Sequence, residues 1–175
     1  MASAPVVLLA EAIQPESGRQ GWHGGPTSVG ALRGVTAEQA RWKPAPRRKG
    51  IWVLTLHIAY WKYAVRRLLD GSQRGAFPRR PSNWPDPPER PDERSWAADV
   101  ALLRQEHERL VQAAGSVNPA WLSRRPPTSR RWTYGQLMVG IAMHDAYHTG
   151  QIQLLKRLWL HSWQIRIMQW RLGVQ

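Results

Sequence analysis

The sequence has no cysteine among its 175 residues, which excludes disulfide bonds, thiolate metal ligands and a cysteine nucleophile. It has no apolar run close to the ~20 residues that a membrane-spanning helix requires. The first 16 residues contain a short apolar patch but lack the basic segment that precedes it in a secretory signal peptide. We therefore expect a cytoplasmic protein without a membrane span.

Acidic residues are also scarce, because 12 aspartates and glutamates stand against 25 lysines and arginines, for a formal net charge of +13. Such a charge raises nucleic acid as a partner. The basic residues, however, are scattered in short groups such as Arg66–Arg67 and Arg124–Arg125, and no nucleic-acid-binding motif accompanies them. We interpret the charge as a solvated basic surface and do not expect a nucleic-acid partner.

The feature that is present in abundance is helical periodicity. Apolar residues recur at steps of three and four over residues 5–14, 50–69, 95–114 and 133–160, and no segment alternates as a strand does. Six prolines from residue 78 to residue 91 indicate a long loop, which we expect Phe77 and Trp84 to pack onto the helices. The pattern predicts an all-α protein, a four-helix bundle with long irregular loops.

We expect residues 1–160 to form this bundle as a single domain. Residues 161–175 form a tryptophan-rich extension of uncertain structure. A continued helix used in dimerisation and an interfacial membrane contact are alternative interpretations of this tail.

The second predicted helix, residues 50–69, has one apolar face that includes a histidine. That face comprises Leu54, His57, Ile58, Trp61, Val65 and Leu68. Lys62, Arg66 and Arg67 are expected to point away from this face. His57 is therefore predicted to lie in the core of the bundle.

The fourth predicted helix carries two more histidines on its inward face. Thr133 and Gln136 have the spacing of a capping box, which predicts the start of the helix. His144 and His148 follow, one turn apart, on the apolar face. Burying an imidazole costs free energy unless it is hydrogen-bonded or coordinated, and an i, i+4 pair can direct two ring nitrogens at one ion.

Together, His57, His144 and His148 are predicted to converge in the bundle core as ligands of a divalent metal ion. Three neutral imidazoles leave a fourth position open, as in catalytic rather than structural zinc sites. The alternative is that each histidine is simply hydrogen-bonded in the core. The donor set does not identify the metal, because it suits zinc, nickel, copper and iron alike.

Several other side chains are candidates for supporting roles. Asp145 is a candidate hydrogen-bond partner for the free N–H of a ligating histidine. Tyr147, beside the pair, and His107, on the inward face of the third helix, are candidate catalytic residues, with packing and a core hydrogen bond as the respective alternatives. His23, in a glycine-rich turn, is expected to be structural, and His161 is expected to lie on the surface.

In its second and fourth helices, GIWVLTLHIAYWKYAVRRLLD and HDAYHTGQIQLLKR, the sequence resembles the DinB-like (YfiT-like) superfamily of metal-dependent enzymes. This family is distinct from the DNA polymerase of similar name. The segments GWHGGPTSVGALRGVTAEQARWKP and FPRRPSNWPDPP fit one branch of it, so the resemblance covers roughly residues 6–158. It implies a four-helix bundle with a divalent metal on His57, His144 and His148, often in a homodimer.

The same resemblance implies transferases and isomerases that use low-molecular-weight thiols such as bacillithiol, mycothiol or glutathione. A bound zinc ion lowers the pKa of a coordinating thiol, so the protein itself needs no cysteine. We therefore predict a metal-dependent enzyme, of thiol-dependent S-transferase or isomerase type, that acts on a small molecule and uses zinc or nickel. The alternatives are a metal-dependent hydrolase and a non-catalytic basic binding module whose histidines are structural.

Overall fold

The computed structural model describes residues 4–15, 24–72, 75–89 and 92–171 of the chain. Its helices are, in chain order, α1 (Ala4–Ile13), α2 (Ala37–Arg41), α3 (Ile51–Asp70), α4 (Glu93–Gly115) and α5 (Tyr134–Arg171). Two short 3-10 helices, Gly30–Leu32 and Pro119–Trp121, precede α2 and α5 respectively. No strand occurs within the described residues, and the prediction of an all-α fold is confirmed.

Local sequence signals determine where the long helices begin and end. The predicted capping box of α5 is confirmed, because the Gln136 N–H donates to Thr133 Oγ1 (3.2 Å) and the Thr133 N–H donates to Gln136 Oε1 (3.0 Å). Asp92 and Ser95 form the same reciprocal pair at the start of α4. After α3, Gly71 has a φ of 70°, in the left-handed region that glycine reaches without steric cost.

Four of the helices form a bundle. The α3 helix packs against α4 and α5, and α1 also packs against both, so α1 and α3 occupy opposite corners. The short α2 lies against α3 and α4. The architecture is therefore the helical bundle that the sequence predicts.

The core divides into two apolar clusters with a polar layer between them. One cluster includes Trp52 and Leu56 of α3 and Ile152 of α5, and the other includes Val65 of α3 and Met138 of α5. Between these levels, the buried polar side chains of the two helices include His57, Lys62, Asp145 and His148. Such a layer is tolerated only where its members find partners.

The inward face of α3 differs from the prediction at two positions. Lys62, which the helical pattern assigns to the solvent side, is fully buried, whereas Trp61, assigned to the core, has 37% of its surface exposed. The reason is that α3 is packed on two sides, by α4 and by α5, so its buried sector is wider than one apolar stripe. Lys62 tolerates burial because Asp145 and His107 are partners for its ammonium group.

Aromatic side chains attach the connection between α3 and α4 to the bundle. Phe77 is buried against Tyr60 and Tyr63, and Trp84 stacks on His57. The prediction that Phe77 and Trp84 pack this loop onto the helices is confirmed.

Beyond residue 160, α5 continues without a break to Arg171, so the tail is helical that far. Its use in dimerisation or in membrane contact stays a prediction, and residues 172–175 lie outside the described residues. None of the helices in the described ranges combines the length and the apolar character that crossing a bilayer demands.

Candidate metal centre

Two helices bring the three predicted histidines together in the polar layer. His57 lies on α3, and His144 and His148 lie one turn apart on α5. One ring nitrogen of each lies within 4.8 Å of the others, and the Nε2 atoms of His57 and His144 are 3.1 Å apart. His57 and His148 are buried, and His144 is partly buried. The protein therefore contains a three-histidine group that could hold a metal ion.

Hydrogen bonds at Nδ1 determine the protonation of two of the three rings. The Nδ1–H of His57 donates to the backbone carbonyl of Asn83, and the Nδ1–H of His148 donates to Gln151 Oε1 at 2.7 Å. A carbonyl oxygen can only accept, so Nδ1 carries the proton in each neutral ring and Nε2 keeps its lone pair. Both rings present the nitrogen that a metal ion would bind, with the other nitrogen held by a partner.

The third ring, His144, has a potential partner close by. His144 Nδ1 and Asp145 Oδ1 are 4.0 Å apart, and neither of these buried atoms has a hydrogen bond among the described residues. The other carboxylate oxygen, Asp145 Oδ2, accepts from the Lys62 ammonium group and from Ser28 Oγ (3.3 Å). Burial raises the pKa of Asp145, but the Lys62 charge and the hydrogen bonds outweigh it, so the pKa lies below its usual value. A small rotation of His144 would let its Nδ1–H donate to this carboxylate.

Burial favours the neutral form of two of the three histidines, His57 and His148. It lowers the pKa of His57 from 6.5 to about 4, against the opposing effect of the Asn83 hydrogen bond. Burial also lowers the pKa of His148, again opposed by its hydrogen bond, here to Gln151. Since the neutral imidazole is the form that binds metals, these two rings need not lose a proton at pH 7 before they bind a cation.

The spacing of the donor set is compatible with a divalent cation. The Nε2 atoms of His57 and His144 lie 3.1 Å apart, so two lone pairs face each other when Nδ1 is protonated in both rings, whereas the other tautomer of His144 lets its Nε2–H donate to His57 Nε2. That second tautomer places an unprotonated Nδ1 of His144 4.0 Å from Oδ1 of the Asp145 carboxylate. Two nitrogens about 2.0–2.1 Å from a tetrahedral zinc ion lie roughly 3.3 Å apart, close to the separation seen here. Three such ligands leave a fourth position for an exogenous group.

The connection between α3 and α4 holds the His57 ring in place. The Trp84 ring stacks on it, with centroids 3.6 Å apart and planes at 5°, and Lys49 Nζ lies 4.2 Å from the Trp84 centroid. Asn83, whose carbonyl accepts from His57, also accepts from Trp61 Nε1 through its Oδ1 at 2.8 Å. These contacts fix both the plane of the His57 ring and its tautomer.

The two candidate catalytic residues lie outside the three-histidine group. His107 of α4 accepts from the Lys62 ammonium group at Nδ1 (3.0 Å) and donates from Nε2 to Gln14 Oε1, so both nitrogens have partners. Burial and the Lys62 charge lower its pKa to about 4. Tyr147 is exposed, and its ring meets His148 edge-on at 4.9 Å. His107 has the contacts of a core hydrogen-bonding residue, and a catalytic role for either residue stays a prediction.

Two histidines remain, His161 and His23. His161 is exposed on α5, as the sequence predicts. His23 lies outside the described residues, so its expected structural role stays a prediction.

Sequence reasoning missed three residues that support the centre, namely Lys62, Asn83 and Gln151. Gln151 could have been found, because position i+3 from His148 lies on the same side of the helix. Asn83 holds His57 through its backbone carbonyl, for which the residue type gives no signal. Lys62 could have been found only through its partner, which lies 83 positions further along the chain.

Comparison with known proteins identifies the family of the chain. The family model of the DinB superfamily matches residues 27–152, which include the three histidines and the whole of α3 and α4. No curated protein and no solved structure matches the chain. Since the family match spans well over half of the 175 residues, the chain belongs to the DinB superfamily.

Proposed function

We propose that the chain is a metal-dependent enzyme in which the Nε2 atoms of His57, His144 and His148 bind one divalent ion, zinc or nickel. The observation that carries this proposal is the convergence of the three rings, two of which already donate from Nδ1 to carbonyl oxygens. A core histidine with a purely structural role has partners on both nitrogens, as His107 does. In the three-histidine group, by contrast, the Nε2 atoms of His57 and His144 lie 3.1 Å apart, and one ring nitrogen of each of the three lies within 4.8 Å of the others.

The reaction that this centre supports best is transfer or isomerisation with a low-molecular-weight thiol as cosubstrate. When bound, a zinc ion lowers the pKa of a coordinating thiol and holds it as a thiolate near neutral pH. In an S-transfer, the sulfur bonds to an electrophilic carbon, the leaving group departs with its bonding electrons, and the thiol proton passes to solvent. The chain has no cysteine, so the sulfur comes from the cosubstrate.

The protein's own residues would orient the centre rather than exchange protons with the substrate. Asn83 and Gln151 hold the Nδ1 protons of two rings, and Asp145 lies beside the third. Each contact turns an Nε2 lone pair toward the shared point, which raises the basicity of the ring and fixes its direction.

Hydrolysis assisted by a carboxylate base is less well supported than attack by an external nucleophile. Asp145 follows His144 directly, but its Oδ2 is paired with Lys62 and Ser28, and its Oδ1 faces His144 Nδ1. Among the described residues, the group that could hold a metal contains no carboxylate. The arrangement therefore favours an external nucleophile over activation of water by this aspartate.

Elemental analysis of the protein, purified without an affinity tag, tests the metal centre. We expect about one divalent ion per chain, lost in His148→Ala with the helical circular dichroism spectrum retained. His161→Ala is the matched control, because His161 is an exposed histidine of the same helix, and it should retain the ion. An ion-free wild type, or full retention of the ion in His148→Ala, would show that these histidines do not form a metal site.

The reaction is tested separately with zinc-loaded protein. Glutathione, bacillithiol and mycothiol are each offered with 1-chloro-2,4-dinitrobenzene, and the coloured thioether is followed by absorbance. We expect at least one thiol to support turnover that His148→Ala lacks. If the metal is bound but no thiol raises the rate above that of His148→Ala, the thiol reaction is wrong while the metal centre stands. The basic-binding-module alternative instead predicts salt-dependent DNA binding that chelators do not change.

A further inference from the structure

An apolar cleft of about 560 Å³ lies beside the three-histidine group. Its lining comes from α3, from the first half of α5 and from the loop before α5, and it includes His144. Clefts of roughly 300–1,000 Å³ with mainly apolar walls are typical of small-molecule sites. The position of His144 in the lining connects this space to the centre.

The cleft is uncharged, although the chain has a net charge of +13. None of its lining residues is a lysine, arginine, aspartate or glutamate, and His144 is its one ionisable side chain. Gln136 is also polar, but its Oε1 already accepts from the Thr133 N–H in the helix cap. A charged group placed in this cleft would lose water without gaining a partner, which costs free energy. The cleft therefore suits an uncharged ligand, and it does not suit the carboxylates of a thiol such as glutathione.

Two tryptophans give the cleft exposed but fixed aromatic walls. Trp61 is 37% exposed and Trp132 is 45% exposed. The Trp61 indole donates to Asn83 Oδ1 at 2.8 Å, and the Arg131 guanidinium lies 4.5 Å from the Trp132 ring centroid. Aromatic rings already held in one orientation offer a large contact area to a ligand at little further cost in conformational entropy.

We propose that this cleft binds the uncharged, ring-bearing part of the electrophilic substrate and places its reactive carbon next to the three-histidine group. This inference rests on the proposed function, which supplies the reaction. It adds the class of substrate, namely apolar small molecules that contain a ring. The volume, the absence of charge and the presence of His144 favour a small molecule over a second copy of the chain. The thiol then approaches from outside the cleft.

Gly140 offers a way to fill the cleft without disturbing the bundle. It lines the cleft on α5, and a Cβ built on it meets no atom within 4 Å. Gly140→Leu therefore places a side chain in the cleft and replaces a helical glycine by a better helix former. Gly150→Leu is the matched control, because Gly150 lies on the same helix, also has no atom within 4 Å of its Cβ, and does not line the cleft.

The probe is N-phenyl-1-naphthylamine, an uncharged aromatic amine that fluoresces in apolar surroundings, titrated into zinc-treated wild type, Gly140→Leu and Gly150→Leu. We expect saturable binding with similar dissociation constants for wild type and Gly150→Leu, and binding at least about tenfold weaker for Gly140→Leu. Equal binding to the two variants, or no binding to wild type, overturns the proposal. The proposal is also overturned if light scattering shows that the wild type is a dimer, that this dimer does not bind the probe, and that Gly140→Leu dissociates it whereas Gly150→Leu does not.

The metal content of the same samples separates this inference from the proposed function. If Gly140→Leu alone weakens probe binding and the wild type holds no metal, the cleft stands and the metal-centre proposal fails. If all three proteins hold metal and both variants bind the probe equally, the metal centre stands and the cleft proposal fails.

Discussion

The buried ion pair between Lys62 and Asp145 provides the sharpest test of how the polar layer is held together. The Lys62 side chain has no exposed surface, and that of Asp145 is 11% exposed. Lys62→Met keeps the length and most of the volume of the side chain but removes the ammonium group. The Asp145 carboxylate then stays buried beside an apolar neighbour, and His107 Nδ1 loses its donor.

The expected magnitude follows from the burial. Removing one member of a buried pair leaves an uncompensated charge and typically costs about 3–5 kcal/mol of the free energy of unfolding. Lys62→Met with Asp145→Asn removes the charge as well, so the double variant should recover roughly half of that loss or more. Arg109→Met is the control, because Arg109 is half exposed and its partner Glu106 keeps Arg66. Its cost should be at most about 1 kcal/mol.

Urea unfolding at pH 7, followed by circular dichroism, measures these differences. EDTA is included so that metal binding does not contribute to the stability of the folded state. If Lys62→Met loses no more stability than Arg109→Met, Lys62 does not compensate a buried charge. If the double variant is no more stable than Lys62→Met, the loss does not come from the Asp145 carboxylate left behind.

Three further expectations concern the helix cap, the pH dependence and the loop. Thr133→Ala should lower the free energy of unfolding, measured by urea denaturation, by about 1 kcal/mol, because the Gln136 N–H loses its acceptor. Thr133→Ser keeps a hydroxyl acceptor and should be nearly as stable as the wild type. The pKa of His107 is about 4 when folded and 6.5 as the ordinary value, so the unfolded state binds more protons between these limits. The metal-free protein should therefore lose stability as the pH falls from about 6.5 to about 4, less steeply in His107→Gln, and an unchanged slope in that variant would count against the buried neutral ring. Trp84→Ala, which removes the ring stacked on His57, should weaken zinc binding about tenfold in a chelator competition, whereas Trp84→Phe keeps an aromatic ring and should bind nearly as wild type does.

Local signals explain why much of the fold follows from the sequence. The Thr133–Gln136 spacing identifies the start of α5, and from that start the helical period places His144 and His148 on one side. The same period on α3 places His57 in the core. These inferences hold because hydrogen bonding within a helix and burial of an apolar face depend on residues that are close in sequence.

The supporting contacts depend on partners that are distant in sequence, and the pattern alone does not reveal them. A lysine on a helix is ordinarily assigned to solvent, and only Asp145 on α5 makes the burial of Lys62 tolerable. The carbonyl of Asn83 reaches His57 because that loop residue has a φ of 69°, a left-handed conformation that its side chain permits but does not require. Trp61 is displaced toward solvent because the neighbouring position is the one that faces Asp145.

The charge balance of the three-histidine group bears on which exogenous ligand the proposed metal centre would select. Among the described residues, the group that could hold a metal consists of three histidines, two of them kept neutral by burial, and the adjacent Asp145 is already paired with Lys62. A divalent ion on neutral imidazoles keeps its full charge, so an anion such as a thiolate is preferred at the fourth position. The neighbouring cleft has the opposite preference, because its lining has no side chain to pair with a charge. Under the proposed function, a site with these two parts would separate an anionic nucleophile from an apolar acceptor, which is the arrangement that thiol transfer requires.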